Sequence, residues 1–495
     1  MNKWLKILCL VLVLTFIIPT LVACDNGDDN SSNNNGGEGV ILETPDKLDG
    51  TTYNNKTFTT YALADMFHTK YFYAEKTTGD GMNDALYQRQ QTIEKLLEVK
   101  LVYKEAEGVG QTPAFEVYAD EVKNAIKSGT EKYQMVGTHA YHAIPDLITT
   151  DSLMDFKEFN SIDLSEEYWN KNVMDQVAFK DHYYLGYSDY NLATTYVVAF
   201  NKTLYGEFAS AFNGNTMYDY VNNNQWTLAK MSEVASYVYK DEGDTTKNTY
   251  GLTGELWVPF CGFIQSSGES IVKKNENSGK YELTWFDNTT IKTKINNLIN
   301  TLSDIHEMKE TYFWVHSAPQ FANKGDKDPI KLSSGKVFME FMNTIELIYL
   351  KETQIKFGVL PYPMYDEDQA KGVGYQSLNW AGYIAVPSNV SDKKMVSDVL
   401  ECFAFYSGDV TTYYYEKLLG LKVSEAPDDA EMLDKIWDSL CSDFGVVYGM
   451  IGDNAPLTNF TYAVPNCIMD KKSFASYNSQ FGGVAKRAID QNINK

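Results

Sequence analysis

The feature that most restricts the fold is an alternation of two hydrophobic periods near the start of the folded region. Thr57 to Ala64 is β-branched and aromatic and predicts a strand, whereas Met82 to Val99 carries Leu86, Ile93, Leu96 and Leu97 at helical spacing. A second strand is predicted at Lys100 to Lys104, a helix at Glu116 to Lys127 and a third strand at Tyr133 to Gly137. Strand, helix, strand, helix in this order specifies an α/β architecture with a largely parallel sheet. The pattern then restarts, with a strand at Tyr196 to Phe200, helices at Leu228 to Lys240 and Thr290 to Met308, and strands at Lys336 to Phe341 and Lys356 to Leu360. Ser391 is placed to cap a further helix through Phe405. No short-period repeat occurs, and 495 residues are enough for about two or three domains.

The amino terminus reads differently. Lys3 and Lys6 precede an almost wholly apolar run from Leu8 to Ile18. That run is short of the roughly 20 apolar residues of a spanning helix, so it predicts a secretory signal. It ends in Leu21-Val22-Ala23-Cys24, which resembles the lipobox of bacterial lipoproteins. The resemblance implies cleavage before Cys24 and acylation of that residue, with palmitate among the chains. Asn, Asp, Ser, Gly and Glu dominate residues 25–39, a composition that buries nothing and acts as a flexible tether. The expected division is a signal peptide over 1–23, a lipidated Cys24 with a polar linker over 24–45, and a folded body beginning at 46. The body is then expected on the extracellular face of the bacterial cell membrane, touching it through the lipid alone.

Charge and composition narrow the partners. Against 43 Lys plus Arg stand 66 Asp plus Glu, a net charge of −23 that repels nucleic-acid phosphates and anionic lipid. Aromatic content is high, with 35 Tyr, and Tyr and Trp suit cores, interfaces and sugar-binding crevices alike. Beyond Cys9 and Cys24, the thiols are Cys261, Cys402, Cys441 and Cys467, with no CxxC pair. Cys402 lies in the apolar helical stretch Glu401-Cys402-Phe403-Ala404-Phe405, which predicts a buried thiol. Phosphate-binding, dinucleotide, nucleophile-elbow and zinc-protease motifs are all missing. His139 and His142 have no third ligand nearby, and Asp241-Glu242-Gly243-Asp244 lacks the later positions of a calcium loop. Neither a cofactor nor a metal is therefore expected, and no enzyme activity is demanded. Paired carboxylates for glycan cleavage stay open, because the sequence gives no distances.

An ordered series of short motifs carries a family resemblance. Phe200-Asn201-Lys202-Thr203-Leu204, Gln225-Trp226-Thr227-Leu228, Tyr250-Gly251-Leu252, Ser267-Gly268-Glu269 and Gly335-Lys336-Val337-Phe338 occur in turn. Phe357 through Pro363, Tyr383-Ile384-Ala385-Val386-Pro387, Tyr413-Tyr414-Tyr415-Glu416 and Met432-Leu433-Asp434 follow. Together they resemble family 1 of the extracellular solute-binding proteins of ABC importers, across nearly the whole mature chain. The acidic loop before Tyr250 departs from the family, being short and interrupted by Thr245, Thr246 and Lys247.

The resemblance implies a two-lobed, periplasmic-binding-protein-like (type II) fold, with a hinge and a ligand crevice between the lobes. Crossovers are then expected near Tyr184 to Tyr190 and Ser377 to Tyr383, with residues 46–186 and 379–427 in lobe 1 and 187–378 and 428–495 in lobe 2. Loops after lobe 1 strands nominate Asp65, His139, Tyr141 and His142 as ligand contacts. The crossovers nominate Tyr187, Asp189, Tyr190, Asn379 and Trp380. Lobe 2 nominates Trp257 and Phe260, in a loop before Gly262, and Glu346 after the strand containing Phe338. Aromatic platforms beside Asp, Asn or Glu suit a carbohydrate, with its apolar C–H faces and many hydroxyls. Trp169, Trp226 and Trp437 are assigned to packing. The expectation is a monomeric binding protein that delivers a sugar or oligosaccharide to ABC permease subunits. A cell-surface glycan hydrolase or lyase, or a glycan-binding lipoprotein outside transport, remains the alternative.

Overall fold

The computed structural model describes residues 43–63, 72–106, 112–139, 144–188, 195–315, 329–344, 346–347, 350, 353–369, 375–376, 382–414, 427–452 and 454–495, without the side chains of 112–115, 139, 375–376 and 427. Its strands are β1 (Lys56–Leu63), β2 (Val99–Ala106), β3 (Met135–His139), β4 (Thr195–Asn201), β5 (Tyr250–Glu255) and β6 (Val272–Lys274). They continue with β7 (Tyr281–Leu283), β8 (Thr311–Trp314), β9 (Val337–Asn343), β10 (Phe357–Leu360), β11 (Tyr375–Gln376) and β12 (Gly382–Ala385).

The first sheet has the order β12-β3-β1-β2. Here β1 pairs parallel with both β2 and β3, and Phe58 to Leu63 is buried throughout, as a central parallel strand covered on both faces must be. Helix Gly81–Leu97 joins β1 to β2 and buries Met82, Leu86, Ile93 and Leu97. The Asp80 carboxylate caps it by accepting from the Asn83 amide at 2.9 Å. The third strand starts at Met135, two residues later than expected; Gln134 before it already bonds β1, its amide donating to Thr59 O at 2.9 Å and its Oε1 accepting from the Thr59 amide at 2.7 Å.

The larger sheet runs β10-β4-β9-β5-β8, with β11 also on β4. Strands β8, β5 and β9 are mutually parallel. The expectation of largely parallel sheets therefore holds for the βαβ parts and fails at β4 and β12. Strand β4 lies antiparallel to β9, β10 and β11, and β12 lies antiparallel to β3. Each of the two is the first strand laid down after the chain crosses between sheets. No βαβ unit therefore imposes parallel direction on either.

Helix Lys393–Phe405 corrects a cap assignment. Its N-cap is Asp392, whose carboxylate accepts from the Met395 amide, while Ser391 instead donates its hydroxyl and amide to Glu131. This helix packs on Gly81–Leu97, whereas Pro427–Asp438 packs on β10, so the chain passes between the sheets a third time in between. The earlier passages touch each other. Gly186 and Ile384 exchange backbone hydrogen bonds at 2.8 and 3.1 Å, and the Met154 amide donates to Val386 O at 2.8 Å. A Cβ on Gly186 would meet Phe156 Cζ at 2.5 Å, so this approach requires glycine. On the other side, the Tyr448 and Tyr281 hydroxyls donate to Val177 O and Ala178 O, and Phe179 stacks on Tyr281 and Phe444. Cys261, Cys402, Cys441 and Cys467 are buried free thiols. Among the described residues no helix is long and apolar enough to cross a membrane.

Candidate functional site

Open α/β sheets take ligands beyond the carboxyl ends of their strands. In the larger sheet the carboxyl ends of β8, β5, β9 and β11 and the amino end of the antiparallel β4 form a line set by register: Trp314 is opposite Glu255, Asn343 is opposite Tyr196, and Tyr196 is opposite Tyr375. In the first sheet the parallel strands end at Leu63, Ala106 and His139, and Gly382 is paired with His139. Gln376, on the one line, and Gly382, on the other, are six residues apart in sequence, so roughly 22 Å is the most that can separate them. The carboxyl ends of both sheets therefore border one region.

Side-chain direction alternates along a strand, so register also sorts the faces. Thr253, Glu255, Trp314 and Glu340 leave the larger sheet on one side. On the other, Phe313 and Phe341 meet Phe260 and Phe263 in an aromatic core. Residues 330–332 run across the polar side: the Thr253 hydroxyl donates to Ile330 O at 3.2 Å, and the Leu332 amide donates to Glu340 Oε2 at 2.6 Å. Between them, the Lys331 ammonium lies 4.6 Å from the Trp314 ring centroid.

Three carboxylates share this cation. Burial, with help from the negative charge of Glu346, pushes the Glu255 carboxyl up to about 7 against the pull of Lys331. Glu340 also reaches about 7, mainly through burial, with the Leu332 amide opposing. Glu346 is raised by desolvation, with the Asn343 amide and Lys331 opposing, although the residue is exposed to solvent. Its Oε2 accepts from the Asn343 amide at 2.8 Å.

The nominated residues divide. Trp257 lies two residues beyond β5, half-buried, with its ring stacked on Tyr462 at 4.7 Å and 13°. It caps the short helix Val258–Cys261, which replaces the expected loop. Glu346 lies three residues beyond the end of β9 and acts electrostatically on Glu255, so Trp257 and Glu346 border the same strand ends. Phe260 is 1% exposed and belongs to the aromatic core, because the helix turn after Trp257 points it back under the sheet. Tyr187, also 1% exposed, packs on Tyr383 between the crossing segments. Neither presents a surface to a ligand. Asp65, Tyr141, His142, Asp189, Tyr190, Asn379, Trp380 and Cys24 lie outside the described residues, as does the side chain of His139.

Glu255, Trp314, Lys331, Glu340 and Tyr462 were not anticipated. Glu340 carried a signal, a lone carboxylate within the otherwise apolar stretch Val337–Phe341. Glu255 and Trp314 become neighbours only through strand register. A separate groove of about 590 Å³, with Lys294, Asn297, Tyr365 and Gln369 in its wall, is a weaker candidate: the Lys294 ammonium is already held by Ser267 O and Glu269. No three His, Cys, Asp or Glu among the described residues are grouped to hold a metal ion.

No protein-family profile and no curated protein sequence matches the chain. Solved structures do match. One is an ABC substrate-binding protein from Listeria monocytogenes in complex with cycloalternan, 15% identical, with a TM-score of 0.50 over 86% of this chain and 99% of that one. At that identity the likeness concerns the backbone alone. The chain has the fold of an ABC substrate-binding protein.

Proposed function

We propose that this chain is a lipid-anchored extracellular protein that captures a sugar or oligosaccharide between two lobes and delivers it to an ABC importer. The observation that carries the reading is the meeting of Trp257, Glu255 and Glu346 at the carboxyl ends of the larger sheet, beside those of the first. An aromatic ring takes the C–H face of a pyranose, and carboxylates accept from its hydroxyls. Support also comes from the shared fold and from the ligand of that neighbour, an oligosaccharide. The lobes are residues 46–186 with 379–427, and 187–378 with 428–495, hinged where Gly186 meets Ile384. Ligand that touches both lobes favours the closed form only by the difference in its affinity for closed and open forms. Closure then presents a new surface to the permease.

Thermal melts across a saccharide library test this. A bound sugar at 100 times its Kd adds about 2.7 kcal/mol, seen as a rise in Tm, without turnover. Trp257→Ala should abolish the rise and leave the unliganded transition in place. A library with no shift overturns the reading. Glycan hydrolysis is the second reading, favoured by a carboxyl held near 7 beside another carboxylate, the environment of a general acid. Release of shortened glycans by the wild-type protein would put it first.

A further inference from the structure

We propose, building on the saccharide reading above, that the sugar held here is an amino sugar whose free ammonium is received by Glu255 and Glu346. Among the described residues, Glu255 takes part in no side-chain hydrogen bond and no ion pair. Glu346 accepts, among the described residues, from its neighbouring Asn343 amide alone. The cation among the described residues that acts on these two and on Glu340 is Lys331. Its ammonium is placed over the Trp314 ring and forms no ion pair with any of the three.

Two carboxylates at the edge of a crevice are tolerable while water reaches them. A ligand that covers them removes that water, and charge left without a partner in such a place is costly. A neutral sugar offers hydroxyl donors but no charge, so covering the pair leaves it to be neutralised by protons; an ammonium offers both donors and charge and holds Glu255 ionised where it would otherwise keep its proton up to about 7.

An independent observation points to the rest of the ligand. Trp314 is 7% exposed and its indole N–H is buried without an acceptor. It leaves the sheet beside Glu255 on the same face. A donor in that position calls for a ligand oxygen, which a polyamine lacks and a sugar has. The Trp257 ring, two residues on, fits the apolar face of the same pyranose.

Titration calorimetry with the wild-type protein, Glu255→Gln and Glu346→Gln tests the assignment. The probes are β-1,4-linked glucosamine and α-1,4-linked galactosamine tetramers, their fully N-acetylated counterparts, and a neutral glucose tetramer of each linkage. A charge-assisted hydrogen bond supplies enough selectivity for an amine-bearing tetramer to bind at least about ten-fold tighter than its acetylated and neutral counterparts. Each Gln variant, folded by its melting curve, should lose most of that preference while keeping what affinity it has for the neutral tetramer. Neutral or acetylated tetramers binding as well as the amines would overturn the inference and leave the saccharide reading standing. Unchanged preference in both Gln variants would also overturn it. Stabilisation by spermidine with no response to any saccharide would overturn both readings, as would silence from every probe.

Discussion

Tyrosine hydroxyls repeatedly find carboxylates in this protein. Tyr53 donates to Asp398 at 2.5 Å, Tyr133 to Glu121 at 2.8 Å and Tyr168 to Glu401 at 2.6 Å, while Tyr183, Tyr218 and Tyr237 donate to Asp175, Asp429 and Glu233. The abundance of Tyr and the excess of acid thus meet in one device: a phenol packs its ring and adds a hydrogen bond to a carboxylate that, Glu401 excepted, also pairs with a lysine. Burial decides what each pair is worth. Asp429 is 1% exposed and is held by Lys202 and Tyr218, so Tyr218→Phe should cost about 2 kcal/mol in urea unfolding. The Tyr237 pair is at the surface of a helix, and Tyr237→Phe should cost at most about 0.5 kcal/mol. Equal costs would remove the distinction.

The buried glutamates add a pH dependence at the same scale. Folded Glu255 and Glu340 keep their protons up to about 7, against an ordinary carboxyl value of 4.5. The folded state then binds more protons between those values, so the stability they contribute is complete below the lower one and is lost as pH rises through about 7. From pH 5 to pH 8 the urea midpoint of the unliganded protein should fall. Glu340→Gln, which keeps an acceptor for the Leu332 amide, should flatten that fall. An identical slope in wild type and variant would contradict the assignment.

At the scale of elements, close approach sets what the helices tolerate. A Cβ on Gly251 would fall 1.9 Å from Ala235 O, backbone that cannot swing aside, because helix Leu228–Val238 rests directly on β5. Gly251→Ala should therefore cost about 3 kcal/mol or prevent folding, as measured by urea denaturation and soluble yield. Gly206, within helix Lys202–Glu207, has nothing within 4 Å of its would-be Cβ, and Gly206→Ala should gain roughly 0.5 kcal/mol. The strands and helices themselves were readable from periodicity, which depends on local burial alone. The cap of Lys393–Phe405 was not, since Ser391 and Asp392 both suit an N-cap, and Glu131, distant in sequence, claimed the serine.

The whole molecule is organised by its crossings. Segments around Gly186 and Ile384 bond each other, and Phe179, Tyr281, Phe444 and Tyr448 form an aromatic packing against residues 177–178. In the proposed two-lobe cycle these contacts persist while the strand-end crevice narrows. Saturating sugar should then lower the radius of gyration in small-angle scattering, and a radius unchanged by a ligand that raises Tm would rule out closure.

What the sequence determined by itself is what depends on neighbours along the chain: alternating strands and helices, the α/β class, the buried Cys402 thiol, Trp257 as a residue shortly before Gly262, and Glu346 as one that follows a strand. The tertiary structure decided what depends on register and packing. It gave β4 and β12 their antiparallel sense, withdrew Phe260 and Tyr187 into the core, and joined Glu255, Trp314, Lys331 and Glu340 from four separate stretches of chain. The physical reason is one of range. Periodicity reports which face of an element is buried, whereas a binding site is made where elements far apart in sequence end side by side.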